Sequence, residues 1–91
     1  SEEFAVQGTV VLRKDYKPPI QLNGKKYLYK FHVRSGGKLY RAYVTPESEI
    51  IGSLPKAGNQ IRMIYEPFRG KYRGYVESIQ VLSSASTLIS Y

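Results

Sequence analysis

The stretch Lys26-Tyr27-Leu28-Tyr29-Lys30-Phe31-His32-Val33-Arg34-Ser35-Gly36-Gly37-Lys38-Leu39-Tyr40-Arg41-Ala42-Tyr43-Val44 decides how this chain folds. Its residues alternate with a period of two on both sides of Ser35-Gly36-Gly37, a short turn suited to a hairpin. On the first strand Tyr27, Tyr29, Phe31 and Val33 share one face, and Leu28, Lys30, His32 and Arg34 share the other. On the return strand Tyr40, Ala42 and Val44 form a core row, while Leu39, Arg41 and Tyr43 point outward. The inner rows read as core. A slip of one residue in register would exchange the two faces.

Upstream, residues 4–14 alternate in the same way, with Phe4, Val6, Val10 and Leu12 on one side and Gln7, Thr9 and Arg13 on the other. Gly8 interrupts the inward row, and a glycine inside a strand predicts a bulge or sharp bend. Between these strands, Pro18-Pro19 and Asn23-Gly24 predict a long loop or open hairpin over residues 15–25. It carries Tyr16 and Lys17, with Lys14, Lys25 and Lys26 around it. Downstream, Pro46 stops the third strand. Residues 47–54 space Ile50, Ile51 and Leu54 for a short helical turn, and Gly52 opposes anything longer. Residues 60–66 read as a strand with Ile61, Met63 and Tyr65 on one side, ended by Pro67. Residues 67–74 form a basic, aromatic loop bearing Phe68, Arg69, Lys71, Tyr72 and Arg73. Residues 75–82 read as the last strand, but Val76, Ile79, Val81 and Leu82 follow no single phase, so its inward row stays open. An uncharged tail, residues 83–91, follows.

At 91 residues this is enough for one domain: the strands at 1–82 and the tail beyond. There is no cysteine, which leaves no disulfide and no thiolate metal site and fits a reducing, cytoplasmic setting. No apolar run approaches a membrane span. The net charge is +7 and it is unevenly placed: residues 13–41 hold nine Lys/Arg against the single acid Asp15. Such a balance speaks about partners, with nucleic acid first. Nine Tyr and three Phe are more rings than a core of this size needs, so several are expected outside.

The strand order, with a helical turn between the third and fourth strands, resembles the oligonucleotide/oligosaccharide-binding (OB) fold. Phe4-x-Val-x-Gly-x-Val resembles its bent first strand, and Leu54-Pro-Lys-Ala-Gly-Asn-Gln-Ile-Arg-Met resembles the entry to its fourth. In organisation the chain is similar to small single-stranded-DNA-binding proteins, except that residues 83–91 lack the acidic tail of the common bacterial type. The resemblance implies an all-β, five-stranded barrel with ligand across the outside of the second and third strands. Mapped here, the expected site is Lys30, His32 and Arg34 on the second strand and Arg41 and Tyr43 on the third. Tyr16, Lys17, Lys25 and Lys26 flank it on one side, and Phe68, Arg69, Lys71, Tyr72 and Arg73 on the other. Cations neutralise phosphates and rings stack on unpaired bases. Single-stranded DNA is therefore the expected partner. RNA, and a protein-interaction barrel or homo-oligomer within a larger assembly, stay open as alternatives.

Catalysis is not expected. One histidine and no cysteine give no ligand or nucleophile pair, and no Gly-x-Ser-x-Gly elbow or phosphate-binding Walker loop occurs. No cofactor or metal is expected either.

Overall fold

The hairpin that opens the reading is present in a computed structural model that describes residues 2–22 and 24–83. Strands β2 (Lys25–Ser35) and β3 (Lys38–Val44) pair antiparallel, with Phe31 opposite Ala42 and Val33 opposite Tyr40. Phe31, Val33, Ala42 and Val44 are fully buried, and Tyr29 and Tyr40 pack against them. The outward row is therefore the one that carries Lys30, His32, Arg34, Arg41 and Tyr43.

A long first strand, β1 (Phe4–Leu22), serves two partners. Its first half pairs with β5 (Gln60–Pro67) and its second half with β2. Strand β6 (Arg73–Ser83) pairs antiparallel with β5 and, through Ala42 and Gly74, parallel with β3. That last pairing joins the two ends of the β3-β2-β1-β5-β6 sheet and closes a five-stranded barrel. The interior is filled by Val6, Val10, Phe31, Val33, Ala42, Val44, Ile61, Met63, Tyr65, Val76 and Ile79.

Two expectations are corrected. No helix lies between the third strand and β5. Glu49–Ile51 instead forms a short strand, β4, parallel to β6, with Ile50 beside Ile79. Adjacent β-branched residues favour an extended backbone, and Gly52, at φ 79°, ends the segment before a turn of helix can form. The break in β1 falls at Val11, not at Gly8. Val10 faces Val33 and Leu12 faces His32, so Val11 is the extra residue. Gly8 has a different duty: a Cβ there would run into the Arg34 carbonyl oxygen on β2. Of the two forms expected for residues 15–25, a long loop or an open hairpin, the hairpin is present as a β-ribbon arm, in which Ile20, Gln21 and Leu22 pair with Tyr27, Lys26 and Lys25. It skips Tyr16–Pro19 because prolines 18 and 19 offer no N–H to the ladder.

The irregular phase of the last strand has the same kind of cause. Ile64 faces Ser78 and Tyr65 faces Val76, so Glu77 is an inserted residue, and the buried pair becomes Val76 and Ile79. The tail at residues 84–91 lies outside the described residues.

Candidate nucleic-acid interface

The bulge at Val11 builds the site. By adding one residue it flips the phase of β1, so that Leu12 and Lys14 turn out of the barrel. Register then carries two rows across the outside of the barrel. One runs Lys14, Lys30, Tyr43 and Tyr75, and ends at Glu66 on β5. The other runs Leu12, His32, Arg41 and Arg73. Arg34 sits farther along the same face, exposed, between Thr9 and Leu39.

Aromatic rings gather at the end of the first row. Phe68 stacks on Tyr75 with centroids 4.3 Å apart, and Tyr43 lies 5.9 Å from Phe68. Tyr27, fully buried, is their floor: its ring is 4.9 Å from Tyr43 and 6.1 Å from Tyr75. Burial pushes its phenol up to about 12, with a 3.4 Å hydrogen bond to the Tyr75 hydroxyl adding to the effect. Tyr27 is buried, as the alternation expects, but its ring packs against Tyr43 and Tyr75 beneath the outer face and not within the main core cluster.

Cations cover these rings. The Lys25 ammonium stands 4.5 Å above Tyr75, Lys30 is 5.8 Å above Tyr43, and Lys14 is 5.5 Å above Tyr16. Each arrangement is a cation–π contact in which the face of the ring is already electron-rich toward a partner. Tyr16 lies near enough to Tyr43 to feel it, and its phenol is raised mainly by burial.

The positive charges crowd one another. Burial pushes the Lys30 ammonium below its ordinary value, and Lys14, Arg41 and Arg73 push the same way. His32 is lowered as well, first by burial and then by Lys30 and Arg41, and its Nε2 is buried with no hydrogen-bond partner in the protein. The two groups report the same condition: a half-buried patch in which the charges acting on Lys30 and His32 are positive.

Beside the rings lies a groove of about 440 Å³, lined by Leu39, Arg41, Arg69, Gly70, Lys71, Tyr72 and Arg73. Two backbone bonds fix its wall. The Arg41 N–H donates to the Tyr72 carbonyl at 2.8 Å, and the Phe68 N–H donates to the Arg73 carbonyl at 2.7 Å. The loop between them reverses at Arg69 (φ 54°) and Gly70 (φ 103°), a conformation that suits glycine.

Of the residues expected from sequence, Tyr16, Lys25, Lys30, His32, Arg41, Tyr43, Phe68 and Arg73 come together on this face, and Arg69, Lys71 and Tyr72 border it in the groove. Arg34 lies at its margin. Lys17 and Lys26 stay exposed on the arm: Lys26 is opposite Gln21, and Lys17 is close enough to Asp15 to help hold its carboxyl low, after the Arg13 hydrogen bond. The sequence reading missed Tyr75 and left Lys14 on the loop. Tyr75 lay within the expected last strand, but its inward row was open; carrying the alternation back over Arg73-Gly74-Tyr75-Val76 puts Val76 inward and Tyr75 outward. Nothing in the local sequence marks Val11 as the inserted residue that turns Lys14 outward.

Among the described residues, no group of three or more His, Cys, Asp or Glu is placed to hold a metal ion. No family model matches the chain, and no curated protein matches it. Among solved structures it is similar to a tryptophan-to-alanine variant of CusF with Cu(II), from Escherichia coli, at 14% identity and a TM-score of 0.55, covering 87% of this chain and 90% of that one. At that identity the likeness speaks of fold alone, and with the strand order it gives a small five-stranded β-barrel, OB-like in general kind.

Proposed function

We propose that this barrel binds single-stranded DNA, with little sequence preference, across the rows Lys14–Lys30–Tyr43–Tyr75 and Leu12–His32–Arg41–Arg73. The observation that carries the reading is the crowding of like charge around Lys30 and His32 beside half-buried rings. Polyphosphate relieves such crowding, and unpaired bases can use the rings. Duplex binding is less suited, since the described residues include no helix for a major groove. RNA would meet the same chemistry, and a 2′-hydroxyl contact is the feature that would separate the two.

A copper site of the kind named for CusF finds poor support in this chain's donors. The single histidine, His32, faces outward from β2, whereas the single methionine, Met63, is buried in the core, and there is no cysteine. Cu(II) favours several nitrogen and oxygen donors, and among the described residues no group of three His, Cys, Asp or Glu stands ready to supply them. An observation favouring a protein-interaction barrel is the arm, where Ile20 and Leu22 are 42% and 44% exposed.

Fluorescence anisotropy with labelled single-stranded DNA, single-stranded RNA and duplex tests the proposal. With about four phosphates neutralised, log K should fall with log salt at a slope near 3. Between about 50 and 200 mM salt that is a loss of about sixtyfold. Stable self-association without any salt-sensitive oligonucleotide binding would favour the interaction barrel instead.

A further inference from the structure

We infer that the groove between β3 and the Phe68–Tyr72 loop seats a terminal phosphomonoester of the bound strand, a role separate from the stacking face. The inference rests on the proposed function and names the part of the ligand that this groove takes.

The two halves of the face differ in how their charges are arranged. Along the first row cations come one per strand, as Lys14 and Lys30. Single cations of this kind suit internal phosphodiesters, each with one charge and two free oxygens. In the groove, cations converge on one recess from three directions. Arg41 comes from β3, Arg73 from β6, and Arg69 and Lys71 from the loop, and the lining includes no acidic side chain. The Arg41–Tyr72 and Phe68–Arg73 backbone bonds tie both ends of the loop to the sheet, which keeps the backbone that carries Arg69 and Lys71 beside the groove. A terminal phosphomonoester carries about −1.5 to −2 charges near neutral pH and presents three oxygens. Several guanidiniums converging from different sides match that geometry better than they match a diester, since each can take two oxygens at once.

The remaining lining fits a nucleotide rather than a bare ion. Leu39 and the Tyr72 ring, 37% exposed, supply an apolar wall for a sugar or base. The volume, about 440 Å³, is in the range of small-ligand sites. Position fits as well: Arg41 and Arg73 belong both to the second row and to the groove lining, so a strand that follows the row from Leu12 leads to the groove.

The test uses the full chain and three labelled oligo-dT strands of about eight nucleotides, within the span of one barrel. One bears a 5′-phosphate, one a 3′-phosphate, and one hydroxyl ends. One phosphorylated end should bind about tenfold more tightly than the hydroxyl-ended strand. Lys71→Gln and Arg69→Gln should each reduce that preference, whereas Tyr43→Ala should weaken all three strands alike and leave it intact. Inorganic phosphate at constant ionic strength should erase the preference before it displaces the strand. Equal affinities for the three strands, with a steep salt slope, would overturn the inference and leave the proposed function standing. Retention of the full preference in both groove variants would also overturn it. Failure of every strand to bind would remove both.

Discussion

Replacing Lys30 by methionine should make the barrel more stable and its binding weaker. Lys30 sits directly opposite Lys14 in the β1–β2 register, and Arg41 and Arg73 also press on its charge. Like charges facing each other across a sheet cost up to about 1 kcal/mol, and a half-buried ammonium adds a desolvation cost. Methionine keeps an unbranched apolar stem over the Tyr43 ring and removes the charge. The variant loses a cation–π contact at 5.8 Å, worth about 0.5 kcal/mol at such a site. The balance is a gain of about 0.5 kcal/mol, which in a domain of this size raises Tm by about 2–4 °C. Binding moves the other way. One phosphate contact is lost, so the salt slope should fall by about 0.7. Calorimetry or circular dichroism melts, paired with anisotropy titrations at several salt concentrations, measure both effects. A lower Tm together with an unchanged slope would refute the reasoning, because it would make Lys30 an ordinary structural residue.

Other consequences concern packing, rings and protons. Gly8→Ala should destabilise by about 1–3 kcal/mol, since its Cβ meets the Arg34 backbone and the two strands must separate; a melt reads the loss directly. Tyr65→Phe should hold or raise Tm, because the buried Tyr65 hydroxyl has no protein partner while its edge-on contact with Tyr40 needs only the ring. Tyr75→Ala should cost about 1–3 kcal/mol of oligonucleotide affinity if the ring takes a base, and an unchanged Kd would remove it from the site. His32 gives a pH dependence of known sign. Its folded value lies below the ordinary 6.5, so the unfolded chain binds the proton first and stability falls as pH drops through the ordinary histidine range. A bound phosphate favours the charged ring, so oligonucleotide affinity should rise over the same descent. His32→Gln should flatten that rise in a pH series of anisotropy titrations.

The sequence made some of this legible because the physics is local. In residues 26–44 each position's neighbours follow from a period of two and one tight turn, so the inward and outward rows were readable before any coordinates. Ile61, Met63 and Tyr65 followed in the same way. What was not readable depends on inserted residues. Val11 and Glu77 look like ordinary strand residues, and only the partner strand shows that each has no opposite number. Those two insertions decide that Lys14 joins the outer row beside Lys30 and that Val76 and Ile79 share the core. The short strand at Glu49–Ile51 is a tertiary effect too: it exists because β6 offers an edge beside Ile79.

The most direct test of the binding face is a residue-resolved titration: backbone amide shifts of the labelled protein followed as oligo-dT is added. The account predicts that the largest changes fall on Lys14, Lys30–Arg34, Arg41–Tyr43 and 68–75. Arg62 and Gln7, paired on the opposite side of the barrel, should stay still. Shifts centred on Arg62 and Gln7, or no shifts at saturating oligonucleotide, would contradict it.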